Sequence, residues 1–388
     1  MEKLIVFDTT LRDGDQAAGA AMLPDDKVEV AKQLELLGVD VIEAGFPIAS
    51  ETEAKTVERI ANEVDNSCIC AFSRAVQQDI EIAAKCVKNA KGGGRVEISI
   101  PTSDIQLSNQ IEKNREEVLE ITKNSIKLAR NLIDDVEWIG IDSTRADLDY
   151  LCRLVETAIE SGAKTVSLAD TLGFATPEEI GERVSNIMNN VPNIDKTILS
   201  IHCHDDLGLA TANTLSAISS GVREVQCTMN GLGERAGNAP LEEIITAIFV
   251  KNKQYPFQTG INTKELKNSS NLVSKKSGFL VPPNKPIVGK NAFRHGSGIH
   301  QDALIKSAEN YEFFPPEIVG AKNEKIVIGP HSGRNGLNFK LQQLGYNLSS
   351  DQLDAAYNEV MNFGGIKKEF NDEDLIKIVE NTRLIGLN

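Results

Sequence analysis

Residues 198–204 read Ile-Leu-Ser-Ile-His-Cys-His. Strand side chains alternate in direction with a period of two. Leu199, Ile201 and Cys203 therefore share one face, and Ser200, His202 and His204 the other. In a parallel barrel the first set would face the helices, and Ser200, His202 and His204 the barrel axis. The two imidazoles also present nitrogen donors on one face, an arrangement that suits a divalent metal with open coordination positions. By spacing alone the pair fits two hydrogen-bonded strand histidines equally well. The chain has 5 His in 388 residues, none in its first half.

Outward from this stretch one theme recurs: a short β-branched run, a turn, then an amphipathic helix. The other runs are 4–9, 41–46, 68–73, 96–100, 136–141, 165–170 and 224–229. Helical periodicity fills residues 25–38, 52–64 and 116–132. Thr176-Pro177-Glu178-Glu179 has the form of an N-cap, a proline in the first turn and acidic residues after it. Eight strand–helix units in roughly 250 residues predict a (β/α)8 barrel of the α/β class. The competing open doubly wound sheet lacks support, since no Gly-x-Gly-x-x-Gly follows the first strand. We expect a catalytic barrel over 1–255, a linker and subdomain with lid and active-site loops over 256–335, and a small helical C-terminal subdomain over 336–388.

The barrel places chemistry at the strands' C-terminal ends. Strand one runs into Asp8-Thr9-Thr10-Leu11-Arg12-Asp13. Strands one and eight adjoin in a closed barrel, so Asp13 should approach His202 and His204, completing a two-His, one-carboxylate set. Arg12 beside it would hold a carboxylate or oxyanion; a plain rim salt bridge with Asp13 is the alternative. Strand eight leads into Asn230-Gly-Leu-Gly-Glu-Arg-Ala-Gly-Asn238, whose glycines permit close backbone approach and whose Glu–Arg pair could brace the loop.

Composition excludes several classes. The formal charge of −15 argues against nucleic acid and anionic membrane as partners. No apolar run reaches transmembrane length, and acidic residues come too early for a signal peptide. Cys68, Cys70, Cys86, Cys152, Cys203 and Cys227 read as buried free thiols, consistent with a cytoplasmic protein.

FDTTLRDGDQ (7–16), HCHDDLGLATAN (202–213), NGLGERAGNAPLEE (230–243), GIHQDALI (298–305) and GPHSGR (329–334) resemble the metal-dependent acyl-CoA synthases of the DRE-TIM metallolyase superfamily. These include 2-isopropylmalate, homocitrate and citramalate synthases. The resemblance spans residues 4 to about 340. It implies a barrel with a small helical subdomain in a swapped homodimer. It also implies condensation of acetyl-CoA with a 2-oxo acid at a divalent metal (Zn, Mn or Mg, with Co or Fe as further options). The implied metal ligands are Asp13, His202, His204 and Asn238, with Arg12, His300 and Tyr311 catalytic. Arg12, Gln16, Glu43, Glu97, Ile139, Ile141 and Thr171 are the candidate substrate contacts. Tyr311 could instead anchor the loop before Phe313 and Phe314. Arg294 and the lysines at 275, 276, 285 and 290 are either phosphate contacts for CoA or solvated loop charge.

One departure concerns the acceptor. Related synthases carry a Glu before the Asp that ends strand five, and here that position is Ile141. Glu137, Ile139 and Ile141 share a face. The two isoleucines favour an apolar acceptor such as 2-oxoisovalerate, and a lone Glu137 would disfavour a dicarboxylate. Asp142–Leu148 and LGLATANTL look closer to nitrogenase-associated homocitrate synthases, so 2-oxoglutarate is the alternative acceptor. The chain ends without the regulatory domain of full-length isopropylmalate synthases, which suggests no leucine feedback or a different acceptor. A hydroxymethylglutaryl-CoA lyase would carry Gly-Gly-Cys-Pro after strand eight, where this chain has Gly-Glu-Arg-Ala. A non-catalytic sensor of 2-oxo acid or CoA is the outside alternative.

Overall fold

The computed structural model describes residues 2–385; residues 386–388 of the expected helical tail lie outside that range. Eight parallel strands close into a barrel in sequence order. They are β1 (Ile5–Asp8), β2 (Val41–Gly45), β3 (Cys68–Arg74), β4 (Gly94–Pro101), β5 (Asp135–Ile141), β6 (Thr165–Asp170), β7 (Ile198–Cys203) and β8 (Glu224–Cys227). Closure comes from β1 pairing with β8, Ile5 opposite Glu224 and Asp8 opposite Cys227. Every strand run predicted from sequence is a barrel strand.

The outer helices follow the same order: α1 (Pro24–Leu37), α2 (Glu51–Glu63), α3 (Gln77–Val87), α4 (Arg115–Arg130), α5 (Leu148–Glu160), α6 (Pro177–Asn190), α7 (Ala210–Ser220) and α8 (Leu241–Val250). Helix α6 begins as its sequence predicts. The Thr176 hydroxyl accepts from the Glu179 amide while the Glu179 side chain accepts from the Thr176 amide, pairing two otherwise orphaned donors. Asn114 and Glu117 form the same reciprocal cap on α4. The short pair Glu2–Lys3 and Phe257–Gln258 lies outside the barrel sheet.

Two compact units divide at Val281/Pro282. The first therefore continues beyond residue 255 and includes helix α9 (Leu266–Ser277). Its sequence, LKNSSNLVSKKS, is rich in weak helix formers, and it is held by burial of Leu266 and Val273. The second unit contains α10 (Gly298–Lys306), α11 (Arg334–Gln343), α12 (Ser350–Phe363) and α13 (Asp372–Ile385). It has its own core, in which Ile328, Leu337, Leu341, Val360, Phe370 and Val379 are buried. No described helix is long and apolar enough to cross a membrane.

Candidate metal and acyl-transfer site

The site begins with the turn after β1. Thr10–Gly14 forms one wide π-helical turn, with the Gly14 amide bonded to the Thr9 carbonyl at 3.1 Å. Such turns are uncommon and gather at functional sites. Here the turn is pinned at both ends. The Thr9 hydroxyl accepts from the Asp13 amide at 3.2 Å. The Asp8 carboxylate accepts from the Thr10 amide and hydroxyl, both at 2.9 Å. The Thr10 hydroxyl in turn accepts from the Met229 amide at 2.9 Å, tying β1 to the end of β8. Burial raises the Asp8 carboxyl to about 7 despite these bonds.

This turn presents Arg12 and Asp13, both buried. The Arg12 guanidinium donates to Asp13 at 2.9 Å and to Glu43 at 2.8 Å, and lies 3.9 Å from Glu97. Its carbon sits 4.6 Å from the centre of the Phe72 ring. The rim salt bridge is thus one arm of a wider anchorage. Glu43 also accepts from the Thr9 hydroxyl.

Asp13, His202 and His204 each offer one donor atom, and these atoms lie within 4.8 Å of one another. The His202 and His204 Nε2 atoms are 3.3 Å apart. Asn238 donates from its amide nitrogen to Asp13, and its carbonyl oxygen is buried without a partner among the described residues. The backbone of Asn238 bridges to His204. Gly233 is needed beside it, since a Cβ there would come within 2.5 Å of the Asn238 amide nitrogen. Gly237 takes φ +100, and a Cβ would meet the Gly231 carbonyl at 2.0 Å. The loop is braced differently from the sequence expectation: Arg235 pairs with Asp206, both contacts at 2.8 Å, and donates to the Thr171 carbonyl.

Protonation favours ligation. Burial opposes ionisation of Asp13, but Arg12 and the two imidazoles outweigh it and hold the carboxyl at about 2. Burial, then the neighbouring His204, lowers His202 to about 3. Burial lowers His204 as well. One carboxylate, two neutral imidazoles and an unpartnered amide oxygen converge in a buried place, a donor set that fits a divalent cation.

Below the three donors lies a hydrogen-bonded column that sequence reading missed. His202 Nδ1 is 2.8 Å from Gln226 Oε1. The Gln226 amide nitrogen donates to Glu97 at 2.7 Å and to Glu137 at 3.0 Å. Arg95 continues the column, bonding Glu137 at 3.1 Å, Glu224 at 2.8 Å and Asp135 at 3.0 Å. Glu137 is accordingly not a lone carboxylate selecting acceptor charge; its oxygens are engaged inside the barrel. The available signal was parity, since Arg95, Glu97, Asp135, Glu137, Glu224 and Gln226 all occupy inward positions of their strands.

Among the other predicted contacts, Ile139 is buried and Ile141 half-buried. Thr171 accepts from the Asp142 amide at 2.8 Å. Gln16 is exposed. Lys276 pairs with Asp26 and Glu29, while Lys290 and Arg294 pair with Glu369. Two thiols, Cys68 and Cys152, are half-buried and the other four are buried, all free. In the second unit the rings of His300 and Tyr311 stack at 4.3 Å, with His295 5.7 Å from Tyr311. His300 and Tyr311 are both exposed.

Residues 3–273 match the HMGL-like family, and residues 287–368 match the homocitrate synthase post-HMGL domain. The chain is 47% identical to the 2-isopropylmalate synthase of Afipia carboxidovorans over 98% of its own length and 73% of that protein's. It is 47% identical to that of Carboxydothermus hydrogenoformans over 98% and 74%. The chain belongs to the 2-isopropylmalate synthase and homocitrate synthase family. Solved structures share the fold of this family at lower identity. The HMG-CoA lyase of Bacillus subtilis superposes with a TM-score of 0.60 at 22% identity, over 73% of this chain and 96% of that one. Hydroxymethylglutaryl-CoA lyase from Pseudomonas aeruginosa gives 0.59 at 19%, over 72% and 95%.

Proposed function

We propose that this chain is an acyltransferase that condenses acetyl-CoA with 2-oxoisovalerate, releasing CoA and 2-isopropylmalate for leucine biosynthesis. The observation that carries the reading is the convergence of Asp13, His202 and His204 beside the anchored Arg12, in a chain with 2-isopropylmalate synthase relatives along nearly all its length. Asp13, His202, His204 and Asn238 would hold the cation, which supplies Lewis acidity toward the oxygens of the 2-oxo acid.

The remaining work falls to the chain. Arg12 has its position fixed by Glu43 and Asp13, so its charge is aimed before substrate arrives. It stabilises the negative charge that develops on the former ketone oxygen. His300 takes a proton from the acetyl methyl at an imidazole nitrogen, the general-base role that histidine most often fills. Tyr311 serves as its acid partner. The enolate carbon attacks the ketone carbon, the ketone oxygen becomes the alcohol, and water then cleaves the thioester to free CoA. Gln16, Glu43, Glu97, Ile139, Ile141 and Thr171 complete the substrate set, with the isoleucines facing an apolar acceptor side chain. The functional division follows 1–255 as catalytic barrel, 256–335 as the segment bearing the acid/base pair, and 336–388 as helical support. The protein works in the cytoplasm as a homodimer with swapped subdomains.

The test is CoA release from acetyl-CoA with a panel of 2-oxo acids and added Mg, Mn or Zn. Turnover is expected with 2-oxoisovalerate. Release only with 2-oxoglutarate would replace the acceptor, and release with none would favour a binding protein. His202→Ala should abolish the metal-dependent turnover; unchanged turnover would remove the site.

A further inference from the structure

Gln226 occupies the inward position of β8 opposite His202 on β7. It is essentially fully buried, and its amide contacts three side chains. Two are carboxylates, Glu97 and Glu137, at 2.7 and 3.0 Å. The third is the Nδ1 of His202, at 2.8 Å. An amide has one donating end and one accepting end. The NH2 group faces Glu97 and Glu137, so the carbonyl oxygen faces His202. An imidazole nitrogen against a carbonyl oxygen must carry the proton.

We propose that Gln226 is a positioning residue which locks His202 as the Nδ1–H tautomer, leaving the Nε2 lone pair directed at Asp13 and His204 for metal ligation. The inference rests on the metal reading of these three residues. It extends that reading from the ligands to the group that sets the state of one ligand. The second nitrogen of a ligating histidine commonly decides which nitrogen binds the ion. Here an amide does this, and two carboxylates from β4 and β5 orient the amide. The reverse amide orientation would donate to His202 Nδ1 and put the imidazole proton on Nε2, facing the other ligands. That arrangement would remove the lone pair that ligation needs. Burial, with neighbouring carboxylates, raises Glu97 and Glu137, and a neutral carboxyl still accepts from the amide NH2 through its carbonyl oxygen.

Two measurements test this on the full-length protein. The first is the affinity of the metal-free protein for zinc ion, by competition with a chromophoric chelator. Gln226→Met keeps the volume but removes the acceptor, and should weaken zinc binding about 10- to 100-fold, the usual range for a lost ligand-orienting bond. A fall for His202→Ala but none for Gln226→Met overturns this inference and leaves the metal reading standing. A fall for neither variant overturns both. The second needs no variant at Gln226. In protein with 15N-labelled histidine, the metal-free His202 signal, assigned by its absence in His202→Ala, should show a proton on Nδ1. A proton on Nε2 overturns the inference even if Gln226→Met fails to fold.

Discussion

The two walls of the barrel interior are built on different principles. On the β1–β3 side Phe7, Val41 and Cys70 pack together with Ile5 and Cys68, an apolar floor of the kind barrels ordinarily use. On the side of β4, β5 and β8 the same depth holds Arg95, Asp135, Glu137, Glu224 and Gln226, bonded across the axis. Packing fixes volume and tolerates small shifts, whereas hydrogen bonds fix direction. The directional wall is the one that ends at His202. A site that needs a nitrogen lone pair aimed correctly gains from a polar support in a way that a site needing only a filled floor would not.

The largest expected effects compare the walls directly. Phe7→Ala removes a fully buried ring and should cost about 3–5 kcal/mol. Arg95→Met strips the cation from three carboxyl groups, of which Glu137 and Glu224 are fully buried, and should also cost about 3–5 kcal/mol at a pH where these are ionised. The two losses should separate with pH. Burial raises Glu137 and Glu224, so the Arg95→Met deficit should be smallest at low pH, where both are protonated, and grow as pH rises and they ionise. The Phe7→Ala deficit should not change with pH. Urea unfolding at several pH values measures both. Parallel pH curves for the two variants would mean that the polar wall works by packing after all.

The comparison also explains what was legible in the sequence. Strand runs and caps follow from local periodicity, so all eight strands and the α6 cap could be read directly. The meeting of Asp13 with His202 and His204 needed one further step, the closure of β8 on β1. The polar wall was not read because its residues are charged at positions where a barrel is expected to be apolar, and Glu137 was judged alone against its strand neighbours. Arg95 and Gln226, its partners, come from β4 and β8; no local window contains all three. Helix α9 was taken for part of a loop segment because Asn, Ser and Lys dominate it, and the burial of Leu266 and Val273 outweighs weak propensity.

The smallest effect probes the joint between wall and site. Burial, then the nearby Glu43, raises Glu97 from 4.5 to about 8. A carboxyl whose folded value lies above its unfolded value stabilises fully below the unfolded value. That contribution is lost as pH rises through the folded value. Wild type should therefore weaken between about pH 5 and pH 9, as Glu97 comes to carry a buried charge 3.9 Å from Arg12. Glu97→Gln keeps a carbonyl acceptor for the Gln226 amide and cannot ionise. It should match wild type near pH 5 and melt higher at pH 9 by roughly 2–4 °C, as about 1 kcal/mol gives in a domain of this size. A variant that melts lower than wild type at pH 9 would show the ionised carboxylate to be the stabilising form. Arg12 would then belong to the polar wall's charge balance, and the division between the wall and the site above it would disappear.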